Sequence, residues 1–381
     1  MTKILVFIDW YLPGYKAGGP IRSVANFVEH FSSEFVFYIV TRNTDYLENK
    51  PYKNIDSNKW IKKSENVNVF YFSNKNLSVK NIKKTIQLIN FDVVYINGIY
   101  SWYFSILPVI LFKNEKTKKI IVASRGMLSN QAFSSKKLKK NTFLKIANFL
   151  KLYKNTIFQT TSESETIEIQ YIIKSKKDVV FIPNLPPFIK TINFESKIKA
   201  KSDLKLVSIA RISKEKNTLF ALKILADYKY SGNISFDIYG SIYQKEYWAE
   251  CEKIIADLPK NIVVKYKGEL NNELVISTLK NYHFLFLPSK GENFGHSILE
   301  SFIAGCPVII SDKTPWKNLS EKNIGWDISL KNTEKYYSAI QYCIDIKQDE
   351  YNKMSQNTID FANEVLNNNE LKNKTRTLFS K

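Results

Sequence analysis

Short runs of Val, Ile, Phe and Tyr recur along the first half of the chain, at 4–8 (ILVFI), 34–40, 67–72, 92–97, 119–124 and 155–161. They are too short for helices and too continuously apolar for strands with one wet face. Runs of this kind fit strands buried on both faces of a parallel sheet, and the amphipathic stretches between them supply the crossover helices. The pattern restarts at 205–210 and continues through 235–240, 262–268, 283–288 and 307–312. Between the two series lies Ile182-Pro183-Asn184-Leu185-Pro186-Pro187, which reads as a hinge. The expectation is an α/β chain of two doubly wound domains facing across a cleft, 1–183 and 188–364, with a terminal helix near 365–381 able to pack back on the first. Ligands of such sheets bind beyond the carboxyl ends of the strands, so the loops there are where chemistry is sought.

The 381 residues, 44% of them hydrophobic, are enough for two such cores. Lys and Arg number 56 against 36 Asp and Glu, a net charge of +20 that suits a polyanionic partner: nucleic acid, anionic lipid or a phosphorylated substrate. A lysine-rich solvated surface accounts for the same excess. Arginine is scarcer and therefore more informative, because only Arg22, Arg42, Arg125, Arg211 and Arg376 occur and each marks a place where a planar fork is wanted over a point charge. Cys251, Cys306 and Cys343 are far apart and form neither a disulfide framework nor a zinc pattern, which fits a reducing cytoplasm. The apolar run Ile4–Ile8 ends at Asp9, too short for a secretory signal, and Trp102–Phe112 is well below the ~18 to 20 residues of a membrane span.

Glycines gather at the carboxyl ends of the expected strands. Gly18 and Gly19 lie in a loop after the first strand, Gly240 and Gly268 end strands of the second series, and Gly291 and Gly295 punctuate the loop after 283–288. The Gly18-Gly19 loop has neither the Walker nor the dinucleotide-binding spacing, but it would bare backbone N–H groups at a helix start, which suits an anion. Arg211 and Lys216 follow the strand 205–210, and a fork plus a point charge beside a helix start suits a diphosphate. After 283–288 comes Ser289-Lys290-Gly291-Glu292-Asn293-Phe294-Gly295-His296-Ser297-Ile298-Leu299-Glu300. A helix beginning near Ser297 would leave Glu292 in the loop and put Glu300 about one turn in, where it could accept two hydrogen bonds from a ribose diol.

The E-x7-E frame of Glu292 and Glu300, the Arg211 and Lys216 pair before it and Ala304-Gly305-Cys306-Pro307-Val308-Ile309 after it resemble the donor-binding half of retaining family-4 glycosyltransferases of GT-B fold. Ser124-Arg125-Gly126-Met127-Leu128, Thr161-Ser162-Glu163-Ser164-Glu165, Ile182-Pro183-Asn184 and Thr314-Pro315-Trp316 extend the resemblance over nearly the whole chain. It implies two Rossmann-like domains, an acceptor-binding one and a nucleotide-sugar-binding one. It implies further that Arg211 and Lys216 bind the donor diphosphate and stabilise the leaving group, that Glu300 holds the ribose, and that Glu292, Asn293, Phe294, Gly295 and His296 meet the transferred sugar or its phosphate. Gly18 and Gly19 would close over the phosphates, and Gly240 and Gly268 would line the donor site. Arg211, Lys216 and Glu292 are thus the candidate catalytic residues. No metal or other cofactor is implied, in keeping with the lack of a D-x-D.

The sequence departs from the family at Asn97, where a histidine is common. An amide can bond a sugar hydroxyl but takes no proton, so Arg125 becomes the main polar candidate beside Asn97 on the acceptor side. His30 reads as helix surface and His283 as a strand start. The stretch 136–154 combines Lys136, Lys137, Lys139 and Lys140 with apolar residues at roughly helical spacing and could lie on anionic lipid, or pack on the sheet with its lysines in water. The resulting expectation is transfer of a hexose from a nucleotide-diphosphate sugar, a UDP-sugar first, to a lipid-linked surface glycan of the lipopolysaccharide, O-antigen or capsule kind, with retention. The enzyme would be cytoplasmic and peripheral on the inner membrane face, with no nucleic-acid partner. An epimerase of the same fold and a basic nucleic-acid-binding protein remain the alternatives.

Overall fold

The first apolar run forms β1 (Thr2–Phe7), whose Ile4, Leu5, Val6 and Phe7 are all fully buried. Leu5 and Phe7 pack into one core with Val94, Ile96 and Phe104, whereas Ile4 and Val6 pack into another with Val24, Phe27 and Phe37. Alternate residues of one strand therefore serve two cores, which is why the run shows no polar alternation. The computed structural model describes residues 1–128, 137–174, 178–189 and 192–381. Lys136, the first residue of the expected amphipathic stretch, lies outside them.

The chain divides into two units, 1–188 with 368–381, and 189–367. In the first, β1 is joined by β2 (Phe35–Arg42), β3 (Trp60–Ser64), β4 (Val67–Phe72), β5 (Val93–Asn97), β6 (Lys119–Ala123), β7 (Ile157–Thr160) and β8 (Asp178–Phe181). Their order is β3-β4-β2-β1-β5-β6-β7-β8, parallel except for β3 against β4. In the second, β9 (Asp203–Ile209), β10 (Asn233–Tyr239), β11 (Ile262–Gly268), β12 (Phe284–Leu287), β13 (Val308–Ser311) and β14 (Gly325–Ile328) form an all-parallel sheet in the order β11-β10-β9-β12-β13-β14. Both are doubly wound Rossmann-like sheets. The winding reverses between β1 and β5 in one and between β9 and β12 in the other, and crevices for ligands open at such reversals.

Three strands escaped the sequence pattern. β3 is an exposed edge strand of sequence WIKKS, and β8 and β14 are four-residue strands, so none carries the continuous apolar run of a central strand. The Pro-rich stretch read as a hinge is pinned to the first unit. Asn26 Nδ2 donates to the Leu185 carbonyl at 2.9 Å, and His30 Nε2 lies 3.0 Å from the Pro186 carbonyl, so His30 braces this segment and is not a plain surface residue. The last helix, Asn369–Phe379, belongs to the first unit: Phe379 packs on Phe27 and Tyr95, and Arg376 forms a forked pair with Glu34 at 2.6 and 2.9 Å.

Candidate active site

In the second unit the loop after β9 and the loop after β12 are laced together at the reversal of the sheet. Asn217, in a left-handed conformation at the start of the helix Thr218–Ala226, donates from Nδ2 to the Pro288 carbonyl at 3.1 Å. The Lys290 N–H donates to the Glu215 carbonyl at 2.8 Å, and Lys216 Nζ reaches Glu292 Oε1 at 2.6 Å. The same carboxylate oxygen accepts from Ser289 Oγ at 2.8 Å, and only 9% of the Glu292 side chain is exposed. The Glu292 N–H in turn donates to the Lys313 carbonyl at 3.1 Å, fastening the loop to the end of β13.

Arg211 and Lys216 are thus both at the reversal but are held differently. The Arg211 guanidinium lies over the Tyr243 ring, 5.3 Å from its centroid, and 3.9 Å from Glu215, with a third of the side chain exposed. Lys216 is paired with Glu292, so the two candidate cations do not form a bare diphosphate clamp. An incoming anion would compete with the Glu292 carboxylate for the lysine.

The helix His296–Ile303 is preceded by Gly295 at φ +76° and has no side-chain cap. A Cβ at Gly295 would come within 2.8 Å of Ile298 Cδ1 as well as straining the backbone, so glycine is required at this turn. Trp316 Nε1 donates to the Phe294 carbonyl at 2.6 Å and holds the turn from the next loop, while the His296 ring lies against Phe294. The helix begins at His296, one residue before the expected start. Glu300 is 9% exposed within it, and the Asn293 amide nitrogen is buried with no hydrogen-bond partner among the described residues. Gly240 has a packing duty: a Cβ there would strike the Ala210 carbonyl oxygen at 1.9 Å, directly behind Arg211. Its N–H donates to the Gly268 carbonyl at 2.8 Å, so both glycines shape the strand ends next to the Arg211 loop.

In the first unit Asn97 ends β5 and Arg125 follows β6 in a left-handed conformation, φ +53°. Arg125 donates to Asn97 Oδ1 from Nε at 3.1 Å and from Nη2 at 2.8 Å, and to Asn184 Oδ1 and the Tyr95 hydroxyl. Its backbone is braced by the buried Glu165, which accepts from the Ser124 hydroxyl and the Gly126 N–H on one oxygen and from Thr161 N–H and Oγ1 on the other. Two sequence candidates therefore form one locked network, completed by Tyr95, Gln159, Asn184 and Glu165. Gly18 caps the helix Gly19–Phe31 at φ +73°, and the loop before it is tied down by Asp45, which accepts from the Tyr15 and Lys16 N–H groups.

A second cluster at this end of the sheet was not anticipated. Asp9, just beyond β1, accepts from Ser101 Oγ at 2.8 Å and pairs with Arg42, from the end of β2, at 3.2 Å. Burial pushes its carboxyl above the usual carboxylate range against these lowering contacts. The sequence signals were an acidic residue directly behind a buried run and one of only five arginines.

His283 is structural. Its Nδ1 accepts from the Lys205 N–H at 3.1 Å, so Nε2 carries the proton donated to the Ile198 carbonyl at 3.0 Å, and burial lowers its pKa to about 4. The helix Lys137–Phe149 buries Leu144 and Ala147, with Leu152 and Tyr153 following, but leaves Leu138 and Phe149 each 85% exposed beside Ile146 and Leu150. Among the described residues no helix is long and apolar enough to cross a membrane.

Residues 189–361 match the family model described as glycosyl transferases group 1. Comparison of the sequence with curated proteins finds no relative. Among solved structures the chain is similar to sucrose-phosphate synthase from Thermosynechococcus elongatus, with a TM-score of 0.72 and 15% identity over 100% of this chain and 98% of that one. HepE from Anabaena, solved in complex with UDP-glucose, gives 0.69 and 16% over 99% of each chain. A TarM variant from S. aureus, solved with fondaparinux, an α-GlcNAc-glycerol and UDP, gives 0.69 and 14% over 100% of each. At these identities the likeness establishes the fold, GT-B.

Proposed function

We propose that this glycosyltransferase, whose second unit carries the group 1 domain, moves a hexose from a UDP-sugar to a hydroxyl of a surface-glycan intermediate with retention of configuration. The observation that carries the reading is the Lys216–Glu292 pair strung between the two loops at the β9/β12 reversal, with Arg211 in the same loop as Lys216 and a helix start without a side-chain cap at Gly295. Charge develops on the diphosphate oxygen as the glycosidic bond breaks. Lys216 released from Glu292, the Arg211 fork and the helix dipole are the groups that would meet it. Glu292, freed in the same exchange, would accept from hydroxyls of the transferred sugar, and Glu300 would hold the ribose. HepE and TarM, of the same fold, were solved with UDP-glucose and UDP respectively, which favours uridine as the donor base.

The test is thermal unfolding of the wild type and Glu300→Ala with UDP, GDP, ADP or CMP. A ligand at about 100 times its Kd adds roughly 2.7 kcal/mol, several degrees for units of this size. A shift with UDP that is lost in Glu300→Ala is expected; no shift with any nucleotide would overturn the donor reading.

A lipid-linked acceptor is favoured by the exposed Leu138, Ile146, Phe149 and Leu150, which share their helix and its end with Lys139, Lys145, Lys151 and Lys154. Apolar residues inserted at the headgroup level with lysines above them suit an anionic leaflet. Co-sedimentation with phosphatidylglycerol vesicles should be strong at low salt and should fall in Phe149→Ser; equal binding to neutral vesicles would remove the electrostatic part.

A further inference from the structure

The reversal between β1 and β5 in the first unit carries a carboxylate with one oxygen occupied and one open. Three donors converge on Asp9 Oδ1: Ser101 Oγ at 2.8 Å, Arg42 Nε at 3.3 Å and Arg42 Nη2 at 3.2 Å. Among the described residues no donor reaches Oδ2, and with 16% of its side chain exposed Asp9 is not sealed from solvent. The backbone gives it little room to turn. The Asp9 carbonyl accepts from the Arg42 N–H and from Thr41 Oγ1, both at 3.2 Å, and the Arg42 guanidinium is set between the Phe104 ring, 5.0 Å away, and the Trp10 ring, 5.9 Å away.

Around this carboxylate lie aromatic rings that are partly exposed and polar groups that are left unpaired. Trp102, next to Ser101, is 50% exposed, and the half-buried Trp10 meets Tyr46 edge to face at 4.8 Å. The backbone from Trp102 to Ile106 is a π-helical turn, a form that recurs at functional positions. Between the end of β5 and that turn, Asn97 Nδ2, Tyr100 Oη and, inside the turn, Ser105 Oγ are buried with no hydrogen-bond partner among the described residues. Leaving such atoms unpaired costs free energy, so polar capacity is left unmet along the stretch that joins β5 to the π-helical turn.

We infer that Asp9 accepts a hydrogen bond on Oδ2 from a hydroxyl of a neutral sugar in the acceptor, whose ring lies against Trp102 and Trp10. A sugar presents hydroxyls at its rim and C–H bonds on its faces, so it matches a fixed acceptor flanked by partly exposed indole rings. Arg42 is spent on Oδ1 and held between rings, so it does not offer this site a free fork for phosphate. Ser101 and Arg42 are positioning residues for the carboxylate. The assignment rests on the glycosyltransferase reading above for the word acceptor, but the sugar site itself can be tested without donor.

The experiment is tryptophan fluorescence of the full chain titrated with methyl glycosides of glucose, galactose and N-acetylglucosamine and with maltose, up to about 50 mM, the range of weak single-sugar affinities. Wild type should show a saturable change with at least one of them. Trp102→Ala should lose most of the signal change and weaken protection of its own thermal unfolding by that sugar. Asp9→Asn, which still can accept from Ser101, should raise the Kd about tenfold, the loss of one hydrogen bond to a charged acceptor. Its near-ultraviolet circular dichroism and its thermal shift with UDP should match wild type. No saturable change with any sugar, an unchanged Kd in Asp9→Asn, or joint loss of sugar binding, native dichroism and the UDP shift in both variants would each overturn the inference. Sugar binding that behaves as expected in a protein with no UDP shift would uphold the site while overturning the donor reading.

Discussion

Each unit places an ion pair at the reversal of its sheet, and the two pairs are built to opposite ends. In the second unit Lys216 reaches across from one loop to Glu292 in another, a contact between a flexible stem and a carboxylate that can be exchanged for a stronger anion. In the first, Arg42 is immobilised by rings and by two bonds to a single oxygen of Asp9. One reversal keeps a cation ready to leave its partner; the other uses a cation to fix a carboxylate and leave half of it free. Lysine suits the first task and arginine the second, because an ammonium is a compact charge on a mobile chain and a guanidinium is a planar fork. On the proposed reading, the same fold would offer phosphate chemistry at one reversal and hydroxyl recognition at the other.

The hardest test of this contrast is Lys216→Ala. If its role is to leave Glu292 and neutralise the departing diphosphate, kcat for sugar transfer should fall by about two to three orders of magnitude, as when one preorganised donor to a developing oxyanion is removed. The thermal midpoint should move little, since Glu292 keeps the Ser289 hydroxyl and its N–H bond to Lys313. Measuring UDP release and unfolding on the same preparation checks both. A loss of stability with unchanged turnover would make the pair a structural bridge like that of the first unit, and the contrast would fail.

How much of this was readable beforehand follows the same division. The second reversal was legible because its residues are consecutive: Arg211 to Asn217 form one loop, and Ser289 to Gly295, with Gly291 and Gly295, form another that runs into the helix carrying Glu300. Even there the pairing of Lys216 with Glu292 was not, because 76 residues separate them and only the fold brings the loops together. At the first reversal Asp9 and Ser101 come from two loops and Arg42 from the end of β2, with 92 positions from Asp9 to Ser101, and none carries a local pattern. Central strands declared themselves through apolar runs buried on both faces, whereas β3 failed because an edge strand is half in water and its lysines erase the signal. The bracing of the segment Ile182–Pro187 onto the helix Gly19–Phe31 was invisible for a related reason: it runs through backbone carbonyls, which every sequence supplies alike.

A smaller effect separates the units by their response to acid. His283 holds β9 to the segment before it only as the neutral tautomer, since protonating Nδ1 would turn its contact with the Lys205 N–H into two donors facing each other. Its pKa is lowered in the fold from 6.5 to about 4, chiefly by burial. A lowered histidine contributes stability that is complete above the unfolded value and is lost as pH falls through the folded one, here from 6.5 down to about 4. The shift corresponds to at most about 3 kcal/mol. In the first unit His30 is lowered too, again chiefly by burial, with its contact to the Pro186 carbonyl opposing the shift. The thermal midpoint of wild type should fall relative to that of His283→Gln as the pH is lowered from 7.5 to 4, because glutamine can accept from Lys205 and donate to Ile198 without titrating. Amide exchange at pH 5 should show the earlier loss of protection in 189–367. Parallel slopes for the two proteins, or earlier loss in 1–188, would mean that acid sensitivity resides in carboxylates or in His30, and that the second unit gains nothing from keeping this imidazole neutral.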